Sequence, residues 1–317
     1  MNRISLVGAA GAIGRSVAES LQREGRRYRV VGRDLERLNK SFGSDPLAEI
    51  VGWNPNDPES VRRAMRGVDT AVYLVGVPYD RFDLHPVLMR QTLEGACAEK
   101  VERIVLIGTV YPYGMPLTSK VTEQHPRRPN TFKGRMRKEQ EDLLMDADAE
   151  GRIRGSVLRL PDFYGPDVEK SYLDSLFQAA AQGGIANMLG PIDTPHEFLF
   201  VPDAGDVILA LADKPEAYGH FWHLGGAGAI TQREIIERVF AMAERKPKFR
   251  VAGKWTLRAL GLVNPLMREL AEMNYLLTNP VLMDDSALQG LLGNVQKTPY
   301  RTGLKLTLDS YARRNLV

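Results

Sequence analysis

The chain has 317 residues, 44% hydrophobic and 26% charged, with 42 basic and 39 acidic side chains and a net charge of +3. That length leaves room for a large core, and so small a charge excess excludes a nucleic-acid binder that works through bulk charge. A single cysteine, Cys97, excludes an internal disulfide. No run of about 18 apolar residues reads as a stable membrane insertion. No secretory signal is expected either, because the N-terminal apolar run breaks at Gly8, and a cytoplasmic α/β protein is the expectation.

Residues 4–14 read ISLVGAAGAIG: a short apolar strand, a turn carrying Gly8, Gly11 and Gly14, then a helical run from Arg15 to Arg23. Unpaired N–H groups at a helix start bind phosphate, and glycine lets a pyrophosphate approach the backbone. Ala12 and Ile13 fall inside this turn. The spacing is G-x-x-G-x-x-G, so its position after a first strand carries more weight than the glycines alone.

Tyr28–Gly32 reads as a second strand, Asp34–Lys40 as a helix, and Ile50 and Val51 as part of a third strand. A loop from Trp53 to Pro58 leads to a short helix, Glu59–Met65. Thr70–Val77 reads as a fully buried strand, whose end brings Val75 and Gly76 to the ligand side. Leu84–Lys100 is a long helix and Arg103–Ile107 the next strand. This alternation predicts right-handed βαβ units and a parallel sheet. A turn-rich stretch from Tyr111 to Pro129 precedes a charged helix, Lys133–Asp146. Ser156–Leu160, Phe198–Val201 and Phe221–Leu224 read as further strands, and Asp203–Leu211 as a helix. After Gly228 the pattern is mainly helical, over Gln232–Ala243, Trp255–Leu260 and Pro265–Leu277.

The end of the second strand is where such a fold meets the adenosine ribose. An acidic residue there suits the 2′-hydroxyl of NAD, and a basic one the 2′-phosphate of NADP. Arg33 occupies that place, so NADP(H) is preferred over NAD(H). Asp34 reads as the cap of the next helix, and Arg15 as a second phosphate contact.

GAAGAIG, VERIVLIG ending at Thr109, TEQHPRRP, LRLPDFYGP, HEFLFVPDAGDVILAL and DDSALQGLLG together resemble the extended short-chain dehydrogenase/reductases of the NAD-dependent epimerase/dehydratase type over nearly the whole chain. The resemblance implies a Rossmann-like doubly wound parallel sheet with a smaller C-terminal substrate domain. The expected division is a cofactor domain over 1–160, its sheet completed by about 198–225. A substrate or lid domain is expected over 161–197 and 226–317. The implied ligand cleft lies between the two.

The departure falls at the catalytic site. The resemblance places Thr109 at the usual Ser/Thr position. Lys133 stands where the tyrosine of a Y-x-x-x-K pair would be, and Arg137 where its lysine would be. Three readings stay open. Lys133 is itself the acid/base, with Arg137 on the same helical face lowering its pKa. Alternatively, Lys133 and Arg137 only hold the cofactor, and Tyr111 or Tyr113 supplies the hydroxyl. In the third, KGRMRKEQED is a solvated face paired with Glu139, Glu141 and Asp142.

The loop Asp162–Pro166 is implied to pass the nicotinamide, with Pro161 and Phe163 on the cofactor and Asp162 and Tyr164 toward substrate. His196 falls where the resemblance implies a substrate contact. His85, His220 and His223 read as structural, the last two in a buried-looking strand. The scattered histidines and lone cysteine give no metal site. Trp255–Leu277 reads as a substrate lid or subunit contact in preference to a membrane-surface segment. The helices at 84–100 and 133–146 match those through which relatives dimerise, so a homodimer is a further expectation. The expected activity is hydride transfer to or from a small organic carbonyl or alcohol. A nucleotide-sugar epimerase or dehydratase, or a non-catalytic NADP-binding sensor or structural subunit, is the alternative.

Overall fold

Ile4, Leu6 and Val7 are apolar, and the first strand they form is fully buried. The computed structural model of the chain describes residues 3–169, 171–262, 264–293 and 295–314. Its first half alternates strand and helix: β1 (Ile4–Val7), α1 (Ala12–Arg23), β2 (Tyr28–Gly32), α2 (Leu35–Phe42), β3 (Ala48–Gly52), α3 (Pro58–Met65), β4 (Thr70–Tyr73), α4 (Leu84–Ala98), β5 (Arg103–Thr109), α5 (Phe132–Ala149) and β6 (Arg154–Leu160). The second half is more mixed: β7 (Asp162–Tyr164), α6 (Asp174–Gln182), β8 (Ala186–Leu189), β9 (Pro195–Phe200), α7 (Ala204–Asp213), β10 (His220–His223), β11 (Ala229–Thr231), α8 (Gln232–Met242) and β12 (Phe249–Ala252). It ends with α9 (Lys254–Leu260), α10 (Pro265–Met273), α11 (Tyr275–Thr278), α12 (Ser286–Leu292) and α13 (Tyr300–Arg314).

The main sheet has seven strands in the order β10-β6-β5-β4-β1-β2-β3, every pair parallel. Strand order reverses between β1 and β4, so their carboxyl ends open a crevice. One face packs on α1 and α7 through residues such as Val17, Leu21, Ile208 and Leu211. The other packs on α3, α4 and α5 through Met65, Met89, Leu93 and Leu144. Each such side chain contributes about 1.5–3 kcal/mol by leaving water. The doubly wound expectation is met.

A second layer is built from β11-β9-β7, from β12 paired with β8, and from α6, α8 and α13. This corrects one expectation. Phe198–Val201 does not complete the main sheet, because β9 lies between β7 and β11; only His220–His223 closes the main sheet, against β6. The strand expected over Thr70–Val77 ends at Tyr73, and Pro265–Leu277 is broken at Asn274. His220 is exposed at the sheet edge rather than buried.

Helix α5 is not a solvated charged face. Lys133, Arg137, Gln140 and Glu141 are all buried. Glu141 accepts from Arg159 Nε at 3.0 Å and Nη2 at 2.6 Å, a bidentate pair that satisfies both buried charges.

Candidate active site

Gly8 follows β1 with φ +87°, and a Cβ there would lie 2.8 Å from Val75 Cα. At Gly14 a Cβ would meet the Ala9 carbonyl oxygen at 2.2 Å. These two glycines are demanded by the protein's own packing. Gly11 differs: it caps α1 without a side-chain hydrogen bond, and a Cβ there would meet nothing within 4 Å. Gly76, after β4, is equally open. The turn thus presents uncapped N–H groups to an open groove, which suits an anion.

The groove has two connected parts. One, of about 320 Å³, is lined by Gly11, Ala12, Ile13, Gly14, Thr109, Tyr111, Arg137, Pro161 and Phe163. The other, of about 450 Å³, is lined by Gly32, Arg33, Asp34, Arg37 and Trp53. Both share Gly8, Gly11, Leu74, Val75 and Gly76. The early end of β4 puts Leu74–Val77 on the groove wall. Asp34 caps α2 as expected, accepting from Arg37 N at 2.9 Å. Arg15 is turned elsewhere: its guanidinium donates to the carbonyls of Ala10 at 2.9 Å and Asp167 at 2.7 Å, tying the glycine turn to the loop after β7.

Arg137 Nη2 donates to the Ile107 carbonyl at 2.9 Å, and Nη1 to Gln140 Oε1 at 2.7 Å. Nη1 also lies 3.3 Å from His85 Nδ1. Burial, then the Arg137 charge, push the His85 imidazole down to about 2, so it stands as a neutral acceptor. His85 therefore does more than pack: it lines the groove and holds Arg137 in it. This fixes a positive charge on the groove floor.

Tyr111 is half-buried on the same wall, its hydroxyl 3.4 Å from that of Tyr79. Its backbone N–H donates to Thr109 Oγ1 at 3.4 Å. Burial pushes the Tyr79 and Tyr111 hydroxyls well above the usual phenol value, and the Asp162 carboxylate adds to this. Asp162 Oδ2 lies 2.8 Å from His196 Nε2, across the β7–β9 pairing, and the buried Nδ1 of His196 has no partner.

Five expected site residues are absent from the groove lining: Asp162 and His196, paired with each other, and Tyr113, Tyr164 and Lys133. Tyr113 is buried; its hydroxyl meets Arg159 Nη1 at 2.6 Å and pairs with His223. Tyr164 is packed against Phe200 and Tyr300 in the second core. Lys133 is fully buried, and its Nζ donates to Glu269 and Glu272 of α10, the latter at 2.6 Å. It does not line the groove. Its amine is committed to two carboxylates of α10 rather than to a groove ligand. Tyr79 and Phe82 are groove residues that sequence reasoning missed; the aromatic pair just after a strand end was the available signal. Among the described residues no His, Cys, Asp and Glu cluster could hold a metal.

With this geometry, the sequence profile of the NAD dependent epimerase/dehydratase family matches residues 4–225. The chain belongs to that family. It is 26% identical over 257 residues to a dTDP-6-deoxy-L-talose 4-dehydrogenase (NAD(P)(+)) of Kitasatospora kifunensis, covering 74% of this chain and 77% of that protein. It is 21% identical over 253 residues to a probable dTDP-4,6-dihydroxy-2-methyloxan-3-one 4-ketoreductase of Streptomyces antibioticus, covering 76% and 77%. Among solved structures it is similar to a dTDP-glucose 4,6-dehydratase of Bacillus anthracis in complex with NAD, with a TM-score of 0.84, 16% identity and coverage of 100% and 98%. At that identity the last likeness concerns the fold, and it spans both layers. Of Lys133 and Arg137, only Arg137 lines the groove.

Proposed function

We propose that this protein is an NADP(H)-preferring oxidoreductase that interconverts a carbonyl and an alcohol on a small organic substrate, with Tyr111 as the proton-transferring group. The observation that carries the reading is that Tyr111, Thr109 and Arg137 share one groove with the open glycine turn, while Lys133, over the rings of Tyr79 and Phe82, is absent from its lining and paired with Glu269 and Glu272. The residues fit a dinucleotide. Gly11–Gly14 would take the pyrophosphate, Arg33 the 2′-phosphate, and Thr109, Pro161 and Phe163 the nicotinamide end. Bound there, the cofactor supplies or accepts the hydride.

The chain's own part is the proton. In the reductive direction the Tyr111 hydroxyl gives its proton to the forming alkoxide oxygen. Burial makes this phenol a weak acid that stays protonated at neutral pH, so its donation relies on the forming alkoxide, a strong base, and on positive charge nearby to stabilise the phenolate. Arg137 supports the phenolate left behind, and Tyr79 can return the proton. Asp162 and His196 offer the substrate a polar end. The cytoplasm and a homodimer through α4 and α5 belong to the same reading.

The test is NADPH oxidation against a panel of simple ketones, aldehydes and dTDP-4-keto sugars. Turnover of a panel member, lost in Tyr111→Phe, supports the reading. NADPH binding without turnover of any member would instead favour a sensor. The dTDP-sugar relatives favour the keto-sugars as first substrates to try.

A further inference from the structure

From Arg245 to Arg268 the chain carries seven basic residues and no acidic one, in a protein whose net charge is only +3. Six of these, Arg245, Lys246, Lys248, Arg250, Lys254 and Arg258, are exposed. Among the described residues none of the six is in an ion pair. Arg245 leans on the Ala181 carbonyl at 3.5 Å, and Arg258 lies over the Trp255 ring at 5.1 Å. Glu244 and Glu269 flank the run in sequence.

The same stretch, with Ile185 next to it, carries apolar tips. Of the large apolar side chains exposed among the described residues, Ile185, Val251, Trp255 and Leu262 all fall here, and Trp255 and Leu262 are 76% and 87% exposed. The fold brings Ile185 to this stretch. Ala186 N donates to the Lys248 carbonyl at 2.9 Å, which sets Ile185 beside Lys248, and β12 then leads straight into α9. Water around so many bare apolar tips is unfavourable, and a lone exposed tryptophan at a helix start serves no core.

We propose that this face, β12 with α9 and the segment before them, docks peripherally on an anionic lipid surface. Clustered cations beside a membrane attract anionic headgroups, and Trp, Leu, Ile and Val insert at the headgroup boundary. Charge complementarity selects the occupant, and the aliphatic tips favour lipid over nucleic acid, which would want several aromatic platforms for its bases. The docking is peripheral, since no described helix is long and apolar enough to cross a membrane. Helix α9 packs on α10, whose Glu269 and Glu272 hold Lys133.

The test is co-sedimentation of the full chain with phosphatidylcholine vesicles, with and without phosphatidylglycerol, at low and high salt. Binding is expected only with phosphatidylglycerol, weakening with salt, with a blue shift of tryptophan emission that Trp255→Phe removes. The triple variant Lys246→Glu, Lys248→Glu, Arg250→Glu should lose affinity by about tenfold or more, and the Trp255→Ala, Leu262→Ser pair by a comparable factor. All these positions are exposed, and unchanged circular dichroism and melting temperature certify the fold. Absence of binding to phosphatidylglycerol vesicles, equal binding to neutral ones, or binding retained after charge reversal would overturn the proposal. So would a short RNA binding as tightly as the anionic vesicles.

Discussion

Lys133 of α5 and Glu272 of α10 are joined by a hydrogen bond of 2.6 Å between a fully buried amine and a partly exposed carboxylate. Lys133 is a fastener for α10. Lys133→Met should free α10 while leaving the groove lining in place. Expected results are faster proteolysis within residues 254–273 and a melting temperature lower by about 3–8 °C, because a buried charge pair is broken but its carboxylates still reach water. Substrate KM should rise more than kcat falls. A loss of kcat of about a hundredfold or more with the proteolysis pattern unchanged would instead make Lys133 the acid/base.

Tyr111 and Tyr113 are two residues apart and face opposite fates. Tyr111→Phe removes the groove hydroxyl and should cut kcat by about a hundredfold or more with little change in stability or NADPH affinity. Tyr113→Phe leaves Arg159 Nη1 and His223 without their shared partner in the core, at a cost of about 1–3 kcal/mol, with kcat nearly unchanged. Steady-state kinetics and thermal melts on both variants separate the roles. The reverse pattern would move the catalytic assignment to Tyr113.

Arg33 lines the outer part of the groove and is exposed, so it is available to a ligand. Its neighbour on that wall, Arg37, is already paired with Glu169 at 3.1 Å. Arg33→Ala should weaken NADPH binding by about ten- to a hundredfold and NADH binding by less than about threefold, since a charged hydrogen bond contributes about 1.5–3 kcal/mol. Fluorescence titration measures both. Equal losses for the two cofactors would remove the 2′-phosphate role.

The glycine turn, Arg33, the Asp34 cap and Thr109 were legible because each is set by local geometry: a strand end, a helix start, a turn. Lys133 was not, since its partners lie on a helix more than 130 residues away. A sequence signal existed, for Glu269 and Glu272 are spaced to share a helical face and end an acid-free stretch. The destination of β9 was hidden for a related reason. A short apolar strand looks alike in either sheet, and only its pairing with β7 and β11 decides. Glu141 reads as a surface partner on a charged helix until Arg159 is seen beside it.

Two buried imidazoles set the acid side of the stability profile. Burial and the Arg137 charge push His85 down to about 2, and burial and the Arg159 charge push His223 down to about 4, from an ordinary 6.5. Above 6.5 both histidines are neutral folded and unfolded, so neither favours one state. Below it the unfolded chain takes up a proton on each and the native chain does not, so stability falls with pH. Each imidazole removes up to about 1.4 kcal/mol per pH unit once well below 6.5. Glu123 and Glu197, whose pKa burial raises, act the other way near the carboxylate range, so the histidine signal is read between about pH 6.5 and 5. Urea unfolding at intervals across that window should show a decline, with a shallower slope in His223→Gln. A wild-type stability that stays flat down to pH 5 would mean that these imidazoles are protonated in the native protein.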